Sequence, residues 1–88
     1  MADIIASIKV FPSDVSADLD NLKRQIEKNL PDFASVYNFE DEPVAFGLVV
    51  VITHVKMPDE EGKMEEVEKS LASINDVSEI QVISVSRI

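Results

Sequence analysis

Glu40-Asp41-Glu42-Pro43-Val44-Ala45-Phe46-Gly47-Leu48-Val49-Val50-Val51-Ile52 is the stretch from which the architecture can be worked out. An acidic, proline-marked corner turns directly into an almost unbroken apolar run. A strand apolar on both alternations is normally central in its sheet. The run predicts a strand from Ala45 to Val55, with the aromatic Phe46 beside Gly47 at its edge. A preceding strand is predicted from about Phe33 to Glu42, containing Val36, Tyr37 and Phe39. So short a corner makes the two antiparallel neighbours.

Toward the N-terminus, Ile4, Ala6, Ile8 and Val10 alternate with Asp3, Ser7 and Lys9, the period of a half-buried strand, and Pro12 ends it. Ser16 is the expected N-cap of a helix, with Asp18 and Asp20 in its first turn, where the helix dipole favours anions. Leu19, Leu22, Ile26 and Leu30 recur at helical spacing until Pro31 stops them. Toward the C-terminus, Pro58-Asp59-Glu60-Glu61-Gly62 marks a turn, and Met64, Val67, Leu71 and Ile74 form a second helical stripe that Asn75-Asp76 breaks. Ile80 to Val85 is rich in β-branched residues and reads as the last strand.

The order is strand–helix–strand twice over. Right-handed crossovers then place both helices on one face of a four-stranded antiparallel sheet in spatial order 4-1-3-2, a ferredoxin-like α+β sandwich. One set of the third strand's side chains must pack on the helices. The other set lies on the open face, with Ile5 and Ile83 nearby. That face is either an apolar docking or dimerisation surface or a patch covered by the stems of Lys9 and Lys56.

At 88 residues the chain reads as one domain, residues 1–88, large enough to bury a core without staples. It has no cysteine, so disulfides, thiolate chemistry and cysteine-held zinc are excluded. No basic segment leads into a long apolar run at the start, and no stretch approaches a membrane span, so the expectation is a soluble, cytoplasmic protein. Net charge is −9, which repels a polyanion and favours a basic protein partner. Direct nucleic-acid binding is therefore not expected.

Chemistry-bearing residues are few. His54 is the only histidine, with no other histidine or cysteine to complete a metal site and no serine nucleophile beside it in the sequence. Glu40, Asp41 and Glu42 alternate between faces of a strand and have no calcium-loop spacing, so they read as a solvated corner. Gly47 and Gly62 are the only glycines, too few for a loop that cradles a nucleotide phosphate. No catalytic residue, cofactor or metal is expected. The turn Pro12-Ser13-Asp14-Val15 lacks the glycines and arginine with which ferredoxin-like acylphosphatases hold phosphate. Arg87 is the only base after Lys69, and it is expected to protrude past the sheet on a short tail.

Ile8-Lys9-Val10 with Pro12, the corner with Pro43-Val44-Ala45-Phe46-Gly47-Leu48, and the ending Arg87-Ile88 together resemble the translation elongation factor 1-beta family in its short archaeal form. The resemblance covers essentially the whole chain. It implies a guanine-nucleotide exchange factor that performs no covalent chemistry. It also implies that the partner is elongation factor 1-alpha, the GTPase that brings aminoacyl-tRNA to the ribosome. In eukaryotic relatives a penultimate lysine reaches toward the magnesium region of that partner's nucleotide site, and an aromatic at the start of the third strand contacts the GTPase domain. Phe46 and Arg87 stand at the matching positions, with arginine in place of lysine, and Ile88 beside Arg87 is expected to share in partner binding. The expected picture is a monomer whose cationic tip and nearby ring act together at the partner's pocket. Two readings remain beside it: a ferredoxin-like small-molecule regulatory or dimerisation module using the open face, and an RNA-binding sheet, which would want more bases and aromatics than this chain has.

Overall fold

A computed structural model describes residues 2–88. Its elements are β1 (Asp3–Pro12), α1 (Leu19–Asn29), β2 (Ser35–Pro43), a turn at Ala45–Gly47, β3 (Val49–Pro58), α2 (Lys63–Ala72) and β4 (Val77–Arg87). The four strands form one antiparallel sheet in the order β2-β3-β1-β4, which is the expected 4-1-3-2 counted from the other edge. The ferredoxin-like βαββαβ plan is therefore the observed one.

Alternation in β1 sends Ile4, Ala6, Ile8 and Val10 to the helix side, where β3 adds Val51, Val55 and Met57 from positions paired with them. Leu22 and Ile26 of α1 and Val67 and Leu71 of α2 close over this face, with Ile74 beyond the second helix. Each of the larger side chains here contributes about 1.5–3 kcal/mol by leaving water. Thr53 also lies in this interior, its Oγ1 buried without a hydrogen-bond partner.

The opposite face is covered over β3 but not throughout, since Ile83 stays 44% exposed. Val50 and Ile52 belong to it, yet they are only 0% and 8% exposed. Lys9 sits across from Ile52 on one side of β3, and Glu42 sits across from Val50 on the other. Their charged ends meet at 2.9 Å, so the ion pair straps the central strand and its stems cover the apolar patch.

Several element ends differ from those expected. Asp18, not Ser16, caps α1: its carboxylate accepts from the backbone N–H groups of Asp20 and Asn21 at 3.0 and 3.2 Å. Asp14 instead draws the Ser16 N–H into a turn of its own, at 3.1 Å. β3 begins at Val49 rather than Ala45, and Glu40-Asp41-Glu42 lies inside β2 rather than at a corner. β4 extends three residues earlier and two later than Ile80–Val85, because β1 offers it a pairing partner along its whole length and a register shift between Ser7 and Ile8 absorbs Ile83.

Candidate functional site: a strained aromatic turn and an anchored terminal arginine

The β2–β3 connection closes by a Leu48 N–H to Ala45 carbonyl hydrogen bond of 3.2 Å, with Val44 N–H donating to the Leu48 carbonyl at 2.8 Å. The two central residues, Phe46 and Gly47, both have positive φ, at 61° and 78°. That is the requirement of a type I′ turn, which favours Asn-Gly or Asp-Gly because a β-carbon in the left-handed region crowds the backbone. Phe46 is the only non-glycine residue in that region among the described residues. Its ring is 98% exposed. A phenylalanine here gains no burial and carries about 1–2 kcal/mol of backbone strain, a combination found where a bulky side chain is needed outside the fold. Phe46 is thus the tip of a hairpin, not the first residue of a strand, and it does not continue the alternation of Val50 and Ile52.

Arg87 is placed differently from the expectation as well. It is the last residue of β4, in register with Ile4, rather than part of a tail beyond the sheet. Ile88 follows with its N–H donated to the Asp3 carbonyl at 3.1 Å, its side chain well exposed. The Arg87 guanidinium lies 3.2 Å from the Asp59 carboxylate in the β3–α2 turn. Lys56 and Lys63 share this end of the molecule, Lys56 facing Asp3 and Lys63 resting 4.3 Å from the Phe33 ring centre. An open hollow of about 170 Å³ beside Lys56 is lined by that residue with Asp3, Phe33, Ser35, Met57 and Pro58.

The structure does not bring Phe46 and Arg87 together. Arg87 pairs at the start of β1, beside the end of β3, whereas Phe46 precedes the start of β3. At about 3.3 Å per strand residue the two lie roughly 25–30 Å apart, at opposite ends of the sheet. The molecule's longest dimension is 42 Å, so this separation takes up most of it.

His54 is engaged within the sheet. Its Nδ1 is 2.7 Å from Ser7 Oγ and its Nε2 is 2.9 Å from a Glu40 carboxylate oxygen, a brace across β1, β3 and β2. Sequence reasoning found no serine for this histidine, because Ser7 reaches it only by strand pairing. The trio has the composition of a nucleophile relay without its setting. Ser7 is 8% exposed and lies on a strand paired on both sides, whose amides are committed to ladders rather than to a developing oxyanion. Asp41 points to the other face and meets Lys23 of α1 at 3.0 Å, so the three acids separate as their alternation demands. Among the described residues no cluster of three or more His, Asp or Glu side chains is arranged to hold a metal ion, and no helix is long and apolar enough to cross a membrane.

Residues 5–88 match the family model described as the EF-1 guanine nucleotide exchange domain. The chain is 40% identical to a Methanothermobacter thermautotrophicus protein named elongation factor 1-beta, over 100% of this chain and 99% of the relative. It is 39% identical to the Haloarcula marismortui protein of that name over the full length of both, and 37% identical to the one from Staphylothermus marinus over 100% and 99%. Phe46, Gly47, Arg87 and Ile88 all fall inside the matched span. An exchange domain must act on another molecule's nucleotide site, which suits a fold that presents a bare aromatic turn. With the family model covering all but the first four residues, the chain belongs to the EF-1 guanine nucleotide exchange domain family and has a nucleotide-exchange role in translation elongation.

Proposed function

We propose that residues 1–88 act as one cytoplasmic exchange domain, monomeric when free and not bound directly to nucleic acid. In this reading the domain grips elongation factor 1-alpha at two separated points, Phe46 and the Arg87-Ile88 end. The observation that carries it is the ring of Phe46, 98% exposed on a left-handed residue with no contact inside the chain to justify either feature. A rigid aromatic on a tight turn suits an apolar socket on the GTPase surface, since such anchors dominate binding energy. Arg87, at the far end of the sheet, supplies the cation. Pushed toward the GTPase's bound magnesium and phosphates, a guanidinium repels the metal and takes over its carboxylate or phosphate contacts.

The spacing gives the two points different tasks. A contact at one end fixes where the domain sits, and roughly 25–30 Å of stiff sheet then sets where the other end arrives. The domain makes no covalent bond. It binds the nucleotide-free GTPase more tightly than the loaded one, and each 1.4 kcal/mol of that difference weakens nucleotide affinity about tenfold. Incoming GTP displaces the domain through the same coupling.

Release of labelled GDP from purified elongation factor 1-alpha tests this directly. The full chain accelerates release. Arg87→Ala slows the stimulated rate about tenfold or more, while the melting temperature stays within a degree or two, because an exposed ion pair adds little stability. Stimulation unchanged in Arg87→Ala would remove Arg87 from the exchange step.

A further inference from the structure

We propose that Asp59 is the positioning residue for Arg87: it keeps the guanidinium folded back on the β3–α2 turn and yields it when an anionic group of the GTPase competes. The inference rests on the reading that Arg87 acts in exchange. The pairing is built into the topology. β3 and β4 both run antiparallel to β1, so their ends arrive together at its start. Asp59 N–H donates to the Ala2 carbonyl at 3.0 Å, and Ile88 N–H donates to the Asp3 carbonyl at 3.1 Å. Two adjacent residues at the start of the chain thus hold both backbones, and the side chains meet at 3.2 Å. The neighbouring carboxylates are directed elsewhere, Glu60 toward Lys63 and Asp3 toward Lys56, each at 3.9 Å.

The hold is weak enough to exchange. The Arg87 side chain is 79% exposed and that of Asp59 36%, so water screens the pair. The 3.2 Å contact is made by Nη2, one nitrogen of a guanidinium that carries five donors in a planar fork. A carboxylate or phosphate that takes two of these donors at once, in a drier pocket, outcompetes the water-screened contact to Asp59. Asp59 therefore decides how readily the cation leaves its own domain, without itself touching the nucleotide.

The test is GDP release from elongation factor 1-alpha with increasing amounts of the full chain, comparing Asp59→Asn and Asp59→Ala in wild-type and Arg87→Ala backgrounds. Asp59→Asn lowers the concentration giving half-maximal stimulation about two- to fivefold at low salt, the range an exposed ion pair supports. Asp59→Ala, which also removes the acceptor, lowers it at least as far. The maximal rate is unchanged, the gain shrinks as salt is raised, and Asp59→Glu returns the wild-type value. No gain, or a gain that persists when Arg87 is alanine, overturns the inference. If Arg87→Ala itself leaves stimulation intact, the reading of Arg87 falls and this inference with it. If Arg87→Ala is defective while both Asp59 variants behave as wild type, the positioning role alone is lost.

Discussion

At one end of the sheet a strained turn holds up a ring that touches nothing in the chain. At the other, the arginine before Ile88 ends a strand and is paired with a carboxylate. The Phe46 end already has its side chain in the open, and a partner can only add contacts to it. The Arg87 end begins satisfied, and a partner must take it from Asp59 before using it. Rigid exposure suits the contact that fixes affinity, whereas a competed contact suits the step that responds to what occupies the nucleotide site.

Phe46→Asn attacks that contrast most strongly. Asparagine before glycine is the preferred pair for a type I′ turn, so the substitution keeps the hairpin and deletes the ring. Affinity for elongation factor 1-alpha should fall about 10- to 100-fold in a titration, the loss of one aromatic anchor worth about 1.4–2.8 kcal/mol. Urea unfolding should show the variant more stable by about 1 kcal/mol, because the left-handed strain is relieved. A variant that loses stability would mean the ring packs on the fold, and the contrast between the ends would disappear.

Much of this was legible in the sequence, and what was missed has specific causes. The apolar run of β3, the alternation of β1 and the two helical stripes gave the order and hence the sheet. The same topology contained the separation of the two ends. Strands three and four both run against the first, so the start of one and the end of the other cannot be neighbours. The expectation of a ring beside the cation came from treating the two as local features. The left-handed conformation of Phe46 was hidden because Gly47 next to it invites the whole positive-φ burden onto itself. β4 was read short because Ser78, Glu79, Ser86 and Arg87 are poor strand formers, and pairing with β1 overrides their preference. Ser7 and Asp59 carry no local signal at all, since each finds its partner only through strand register.

Thr53→Val separates local effects at either end from the stability of the whole. The buried Thr53 Oγ1 has no partner, and valine has nearly the same shape without the hydroxyl. Removing an unsatisfied buried hydroxyl should raise unfolding free energy by about 1 kcal/mol. Exchange stimulation should stay as it was, because Thr53 sits inside β3, paired with Ile8 and Phe39 and away from both ends. Altered stimulation in this variant would mean that the two grips depend on the rigidity of the sheet between them.

The smallest effect concerns Asp14, in the turn that follows β1 at the Phe46 end of the sheet. Its carboxylate accepts the Ser16 backbone N–H at 3.1 Å, and this bond, followed by one from the Ser16 side chain, holds its pKa below the ordinary 3.8. The hydrogen bonds favour the charged form in the folded chain. A carboxyl whose folded pKa is depressed contributes stability that is fully present above the unfolded value and is lost as pH falls through the folded one. That contribution should therefore fade only in acid, below about pH 3.8, and be absent from the pH profile of Asp14→Asn. Carboxyl chemical shifts followed by NMR should titrate with a midpoint under 3.8 for Asp14. A midpoint at or above that value would mean the turn is open in solution.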